Sequence, residues 1–178
     1  MGSIRDEIRQ TRPFESAADE AVVTLLATAD RVRDALSRVT GAHDITLQQY
    51  NVLRILRGAG EQGLPTLEIA SRMIEKSPGI TRLVDRLEAR CLVRRVRCPG
   101  DRRQVLCHAT ETARRLLAGL DRPVAEAGRG LLAPLDPART AQLIRLLDAV
   151  RLATASSTNT DSKQTETKKK RKVEETTT

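Results

Sequence analysis

Aromatic side chains are almost missing from this chain of 178 residues, in which Phe14 and Tyr50 form the whole aromatic set. Proteins that bind single-stranded nucleic acids or RNA loops stack the bases on several aromatic rings. The composition therefore excludes that way of binding a nucleic acid.

Cysteine and histidine are also scarce. The three cysteines, Cys91, Cys98 and Cys107, form no C-x-x-C pair, and the chain has two histidines. An odd, dispersed set argues against a disulfide framework and fits a reducing cytoplasm. A structural zinc site is not expected either, and we predict no metal and no cofactor.

Long apolar runs are absent as well. None approaches the roughly 20 residues that a membrane-spanning helix needs, and the segment 1–13 is too polar for a secretory signal. The chain also lacks a glycine-rich phosphate loop, a metal-ligand cluster and a nucleophile motif. We therefore expect neither a membrane protein nor an enzyme, and the length allows one domain, or one domain with a tail.

Positive charge is abundant and concentrated in one segment. The formal net charge is +8, and the segment 72–115 holds twelve basic residues against five acidic ones, a net +7. Such a basic face is typical of a protein that binds the phosphate backbone of nucleic acid. The alternative is a charged surface that only faces solvent.

The spacing of apolar residues predicts a mainly α-helical fold with about six helices and one two-stranded β-hairpin. Thr46 and Gln49 form a capping box, Ser77 and Pro78 are a strong helix start, and Pro123 should kink its helix. The predicted elements are helices over 15–40, 46–58, 65–73, 77–87, 110–131 and 136–150, and strands over 92–97 and 104–108.

This order of elements is typical of a winged helix-turn-helix. A short helix, a turn, and a second helix with small and polar residues at its start are followed by a basic hairpin. An α-helix fits the major groove of B-DNA and reads base edges there, while an arginine at the tip of a wing can enter the minor groove. Double-stranded DNA is therefore the expected partner.

The segment 68–117, EIASRMIEKSPGITRLVDRLEARCLVRRVRCPGDRRQVLCHATETARRLL, resembles the multiple antibiotic resistance regulator (MarR) family. The wing signature of that family, D-x-R followed by a Leu-Thr or similar pair, stands here at 101–103 and 109–110. The resemblance extends over about 15–153. Two positions depart from it, because Cys91 and Ala113 stand where the family usually has glycine.

The resemblance implies a role for particular residues of the second helix and of the wing. Arg82 would read a guanine edge in the major groove, and Arg86 would contact a phosphate. Arg103 would enter the minor groove, oriented by a hydrogen bond to Asp101. The candidate DNA-binding residues are Ser77, Gly79, Thr81, Arg82, Arg86, Asp101, Arg102 and Arg103. For each arginine the alternative is a surface ion pair with Asp85 or Glu88.

The resemblance also implies a division of the chain into regions with different tasks. The expected regions are an N-terminal arm over 1–14, a helical dimerisation region over 15–45 and 110–155 and a winged helix-turn-helix over 46–109. The polar composition of 156–178, which cannot bury a core, predicts a disordered tail. One recognition helix contacts few bases, so a twofold dimer that binds a pseudo-palindromic operator is expected. The alternative is that the terminal helices only cover the core of the monomer.

The resemblance implies a ligand-responsive transcriptional regulator, in particular a repressor that a small aromatic or anionic effector releases from DNA. Candidate effector residues are Arg31, Arg38, His43, Tyr50 and Arg54, each of which could instead be purely structural. One alternative is a redox-responsive regulator switched through Cys98 in the wing, with Cys91 and Cys107 buried. Another is a sequence-tolerant, architectural DNA-binding protein.

The C-terminal tail differs in composition from the rest of the chain. Lys76 is the only lysine before it, whereas the tail holds five lysines among Ser, Thr and Gln. Its segment KKKRKV, made of Lys168, Lys169, Lys170, Arg171, Lys172 and Val173, resembles the nuclear localisation signal of a polyomavirus large T antigen. We interpret it as a targeting tag appended to a bacterial, cytoplasmic protein, which would become nuclear in a eukaryotic host. The alternative is a generic basic tail.

Overall fold

Helices make up most of the protein, of which the computed structural model describes residues 2–75, 79–98 and 104–154. These residues form seven α-helices, a short 3-10 helix and three β-strands. In chain order they are α1 (Ile4–Glu7), α2 (Ala17–Gly41), α3 (Leu47–Ala59), the 3-10 helix (Gly60–Gln62), β1 (Leu64–Pro65), α4 (Thr66–Arg72), α5 (Ile80–Ala89), β2 (Val93–Arg97), β3 (Val105–Ala109), α6 (Glu111–Leu132) and α7 (137–154).

The winged helix-turn-helix predicted from the sequence is confirmed, with three differences. The expected N-terminal arm contains a helix that was not predicted from the sequence, α1, which a capping box between Ser3 and Asp6 begins. A 3-10 helix follows α3, and β1 adds a third strand to the expected hairpin. Both short elements lie between Gly60 and Pro65, where the glycines predict the end of one helix and Pro65 predicts the start of the next.

Local capping explains where the longer helices begin. At α3 the amide of Gln49 donates to Thr46 Oγ1 at 3.1 Å, and the amide of Thr46 donates to Gln49 Oε1 at 3.0 Å. This is the reciprocal capping box that the sequence predicts. At α6 the amide of Ala113 donates to Thr110 Oγ1 at 3.2 Å. Each cap satisfies an amide that has no partner within its helix.

The core lies between α3, α4, α5, the sheet and α6. Its fully buried side chains are Val52, Leu53, Leu56, Ile69, Val84, Leu87, Val93, Leu117 and Leu120, together with Thr40 and Cys107. Ala113, at one of the two positions where the family usually has glycine, is also fully buried. It lies in the first turn of α6, where alanine favours the helix more than glycine does.

The sheet is antiparallel, with the strand order β1-β3-β2. Leu64 pairs with Cys107, and Arg95 pairs with the same residue of β3 from the other side. Gly63, directly before β1, has φ of +61°, and a Cβ atom there would lie 2.5 Å from His108 Cε1. Only glycine fits this approach of the backbone to the His108 ring.

His108 is a buried residue of β3 and lies beside two arginines. Burial lowers the pKa of its imidazole, and the charges of Arg94 and Arg114 lower it further. Its Nδ1 is buried and has no hydrogen-bond partner among the residues that the structure describes. The His108 ring therefore packs in its neutral form against the backbone of Gly63.

The chain divides into two units, 1–131 and 132–178, and α7 belongs to the second. In α7 the amide of Arg139 donates to Asp136 Oδ1 at 2.8 Å, which caps its first turn. The helix exposes several large apolar side chains, namely Ile144, Leu146, Leu147, Val150 and Leu152. Within the described ranges no helix is long and apolar enough to cross a membrane.

The end of α5 is built around Cys91. The amide of Cys91 donates to the Glu88 carbonyl at 2.8 Å, and the amide of Leu92 donates to the Leu87 carbonyl at 2.9 Å. These two bonds form a Schellman motif, which requires a left-handed residue at Cys91. Cys91 adopts φ of +55° and is exposed, so the expectation that it is buried is wrong. The side chain points to solvent because the left-handed position lies outside the helix.

Replacing Cys91 by glycine should stabilise the protein by about 0.5–1 kcal/mol. A left-handed conformation costs a residue with a Cβ atom about 1–2 kcal/mol, and the greater freedom of glycine in the unfolded chain offsets part of the gain. Urea denaturation measures the change. Cys91→Ser is the control, because serine keeps the Cβ atom and should give no gain; an equal gain from serine would contradict the explanation.

Candidate nucleic-acid interface

The α5 helix separates its residues into a buried face and an exposed face. Leu83, Val84 and Leu87 are buried in the core. Thr81, Arg82, Asp85 and Arg86 are exposed on the other side of the same helix. The packing of α5 thus presents two guanidinium groups of a recognition-type helix to solvent.

The start of α5 is built on a glycine rather than on a capping side chain from the described residues. Gly79 is the N-cap residue and is only partly exposed, and its carbonyl accepts from the amide of Leu83 at 3.0 Å. No side chain among the described residues caps this end of the helix. Amides at such an end favour an anionic partner such as a phosphate. Ser77, predicted to contact the major groove, lies outside the described residues.

The acidic residues of α5 are paired with Arg95 of β2. Arg95 Nη2 lies 2.6 Å from Asp85 Oδ1, and Arg95 Nη1 lies 2.6 Å from Glu88 Oε2. Burial alone would lower the pKa of Arg95, but the hydrogen bonds and charges of the two carboxylates outweigh it and raise that pKa. One guanidinium therefore bridges both carboxylates and joins α5 to β2.

This pairing bears on the alternative that the exposed arginines of α5 form surface ion pairs. The sequence left open that Arg82 or Arg86 forms an ion pair with Asp85 or Glu88. Neither arginine has an ion-pair partner within the described parts of the chain, and Arg95 holds both carboxylates. Sequence reasoning missed Arg95. The sequence did offer one signal for it. Successive side chains of a strand point to opposite faces of the sheet, so Arg95 lies on the face opposite to that of its exposed neighbour Arg94.

The wing is described up to its tip. The pairing of β2 with β3 runs from Val93 and Ala109 to Arg97 and Val105. Beyond it, the amide of Cys98 donates to the Gln104 carbonyl at 2.9 Å. Cys98, the candidate redox residue, is partly exposed here. Asp101, Arg102 and Arg103, the predicted wing contacts, lie outside the described residues, as does the segment 168–173.

The candidate effector residues do not form one cluster. Tyr50 is buried in α3, and the Arg54 guanidinium carbon lies 5.7 Å from the centre of its ring, a cation–π contact. Arg31 instead pairs with Glu7 of α1 at 2.5 Å. Arg38 and His43 are exposed near the end of α2. No hydrogen bond, ion pair or ring contact in the described part of the chain joins Arg31, Arg38 or His43 to Tyr50.

The described residues include no group of three or more histidine, cysteine, aspartate or glutamate side chains that could hold a metal ion. The groups that the site does offer are cations. Two guanidinium groups without an ion-pair partner among the described residues lie on α5, a helix narrow enough for a DNA groove, and the first strand of the hairpin carries three arginines, Arg94, Arg95 and Arg97.

Comparison with known proteins gives the same class, a winged helix-turn-helix regulator. Residues 45–105 match the model of the MarR family. The transcriptional regulator TtmR of Methylorubrum extorquens, described as HTH-type, is 35% identical over 107 residues, which are 60% of this chain and 54% of that protein. The chain thus spans about half the length of this curated relative.

Solved structures match a larger share of this chain than the curated relative does. A MarR transcription factor from Planctomyces limnophilus is 37% identical, with a TM-score of 0.59 over 77% of this chain and 99% of that one. CouR from Rhodococcus jostii, solved with bound p-coumaroyl-CoA, is 26% identical with a TM-score of 0.65, over 77% of this chain and 95% of its own. The chain belongs to the MarR family of transcriptional regulators.

Replacing Arg95 by methionine should lower the free energy of unfolding by about 1–2 kcal/mol. The side chain is only 25% exposed, and its loss leaves two carboxylates without a partner. Arg94→Met is the matched control, since Arg94 is exposed on the same strand and has no ion pair among the described residues. Urea denaturation compares the two variants, and equal losses would show that the Arg95 ion pairs do not stabilise the fold.

Proposed function

We propose that the protein is a dimeric transcriptional repressor that binds a pseudo-palindromic operator in double-stranded DNA. The observation that carries this proposal is the exposed face of α5, where Arg82 and Arg86 have no carboxylate partner among the described residues while Arg95 pairs with Asp85 and Glu88. Free guanidinium groups on a helix can enter the major groove and bind guanine edges or phosphates.

The roles of the individual residues follow from their position on α5. Arg82 lies in the first turn, which in helix-turn-helix proteins contacts base edges. Arg86 lies one turn further along the same exposed face, where a helix crossing the groove meets the backbone. Gly79 and Thr81, small residues beside Arg82, allow the first turn to approach the bases closely. Ser77, Asp101, Arg102 and Arg103 stay predicted contacts.

Dimerisation supports the proposal because one α5 helix reads too few bases for useful specificity. In α2, Val22, Leu25 and Leu26 are exposed, and α7 exposes its own apolar residues. Each helix by itself thus offers an apolar surface to a second copy. A twofold dimer places two recognition helices about one turn of DNA apart.

The proposed effector is a small aromatic or anionic molecule that lowers the affinity for the operator. CouR was solved with p-coumaroyl-CoA, which is both aromatic and anionic. In this chain Tyr50 and Arg54 form the one contact between candidate effector residues that the described part contains. The expected site of action is the bacterial cytoplasm.

The proposal is tested by selecting a binding site in vitro from a library of random duplexes and measuring the affinity for the selected duplex by fluorescence anisotropy. The protein should bind it at least about 1,000-fold more tightly than a random duplex at the same salt concentration. Sedimentation should show a dimer on DNA. Equal affinity for both duplexes would instead indicate a sequence-tolerant, architectural protein, and full specific affinity of a stable monomer would exclude the dimer.

Two substitutions distinguish reading of bases from binding of phosphates. Arg82→Ala should cost about 1–3 kcal/mol on the selected duplex and relax the preference at one base position per half-site. Arg86→Ala should weaken binding to selected and random duplexes similarly. Anisotropy on single-base variants of the duplex measures both effects, and the same uniform loss for both variants would refute the role assigned to Arg82.

A further inference from the structure

The segment between α4 and α5 carries a carboxylate that two other helices hold. Glu75 lies three residues after the end of α4 and five before the start of α5. Arg33 Nε of α2 donates to Glu75 Oε1 at 2.7 Å, and Gln48 Nε2 of α3 donates to Glu75 Oε2 at 3.1 Å. Each carboxylate oxygen thus has a donor from a different helix.

These donors are themselves fixed. Arg33 also donates to Asp30 Oδ1, one turn earlier in α2, at 3.0 Å. Gln48 lies in the first turn of α3, directly before Gln49 of the capping box. The hydrogen bonds from Arg33 and Gln48 lower the pKa of Glu75, which keeps its carboxylate charged. The Arg33–Glu75–Gln48 cluster therefore connects two supported helices to one point of the chain.

Of the two residues before Glu75, Met73 packs against the protein and Ile74 does not. Ile74 is 87% exposed and contributes no packing. Met73 is buried, and Asn51 Nδ2 of α3 lies 3.7 Å from its sulfur atom. Glu75 is thus held by side chains of both α2 and α3.

We propose that the Arg33–Glu75–Gln48 cluster positions the recognition helix α5 for specific DNA binding by fixing the chain that leads into it. Arg33 and Glu75 are positioning residues, which act through the placement of Arg82 and need not contact DNA. This inference rests on the proposed function. It also makes α2 part of the DNA-binding apparatus, because a displacement of α2 would pass through Arg33 to the approach to α5.

The solvent exposure of Arg33 and Glu75 distinguishes a positioning role from a role in overall stability. The side chains of Arg33 and Glu75 are 47% and 39% exposed, and exposed ion pairs stabilise proteins little. Substitutions in the cluster should therefore leave the melting temperature almost unchanged. An effect on DNA binding would then come from geometry.

Glu75→Gln is the decisive variant because two arguments predict opposite results. Removing a negative charge close to the DNA-binding helix should tighten binding if only charge matters. Loss of the fixed carboxylate should instead weaken specific binding if the cluster positions α5. We expect a 3- to 10-fold loss of affinity for the duplex selected by the wild-type protein, with affinity for a random duplex unchanged or slightly increased.

Asp121→Asn provides the matched control. Asp121 of α6 forms two hydrogen bonds with Arg57 of α3, each 2.9 Å long, and the two side chains are exposed to a similar degree, 51% and 34%. This variant removes the same charge from a similar ion pair that does not involve the α4–α5 segment. It should not weaken binding to the selected duplex, and a loss equal to that of Glu75→Gln would overturn the proposal.

Combining substitutions tests whether the contact itself matters. Arg33→Gln should cause the same 3- to 10-fold loss as Glu75→Gln, and the double variant should lose no more than either single variant. Arg33→Lys, which keeps the charge, should recover part of the affinity. Losses that multiply in the double variant, or a Glu75→Gln variant that binds the selected duplex more tightly than wild type, would overturn the proposal.

Hydrogen exchange of the DNA-free protein tests the positioning role independently of DNA binding. The amide of Leu83 donates to the Gly79 carbonyl in the first turn of α5. Its exchange should be several-fold faster in Glu75→Gln and unchanged in Asp121→Asn. Unchanged exchange in both variants would refute the positioning role. Failure of the wild-type protein to prefer any duplex would refute the proposed function alone.

Discussion

The burial of Leu83, Val84 and Leu87 is the constraint on which the candidate site depends. These three side chains fix the rotation of α5 about its axis, because a helix with one apolar face has a single favourable orientation on a core. Burying a side chain of this size contributes about 1.5–3 kcal/mol, so rotating α5 by even a quarter turn would cost several kcal/mol. The outward direction of Thr81, Arg82 and Arg86 therefore follows from the packing of the opposite face.

Features set by neighbouring residues could be predicted from the sequence. The capping box of α3, the Thr110 cap of α6 and the two long strands of the wing depend on residues within a few positions of each other. The division of α5 into an apolar and a cationic face follows from its periodicity alone. The spacing of the apolar residues was thus sufficient to assign Arg82 and Arg86 to the exposed face.

Features that depend on distant residues could not be predicted in this way. Arg95 is one of many arginines in its segment, and only the folded hairpin brings it to Asp85 and Glu88. The short strand β1 is hidden because Gly63 reads as the end of one helix and Pro65 as the start of the next, while its partner β3 lies more than forty positions later. Cys91 was misplaced for a different reason: cysteine is usually buried, but here a backbone motif that needs a left-handed residue determines its exposure.

The two edges of the small sheet resist association with other chains in different ways. At one edge, Pro65 of β1 has no amide hydrogen to offer to an added strand. At the other edge, β2 carries Arg94 and Arg97, whose like charges would repel a second copy of the same strand. An exposed hairpin with open edges can pair with other chains into β-aggregates. The arginines that make this hairpin basic therefore also disfavour such pairing.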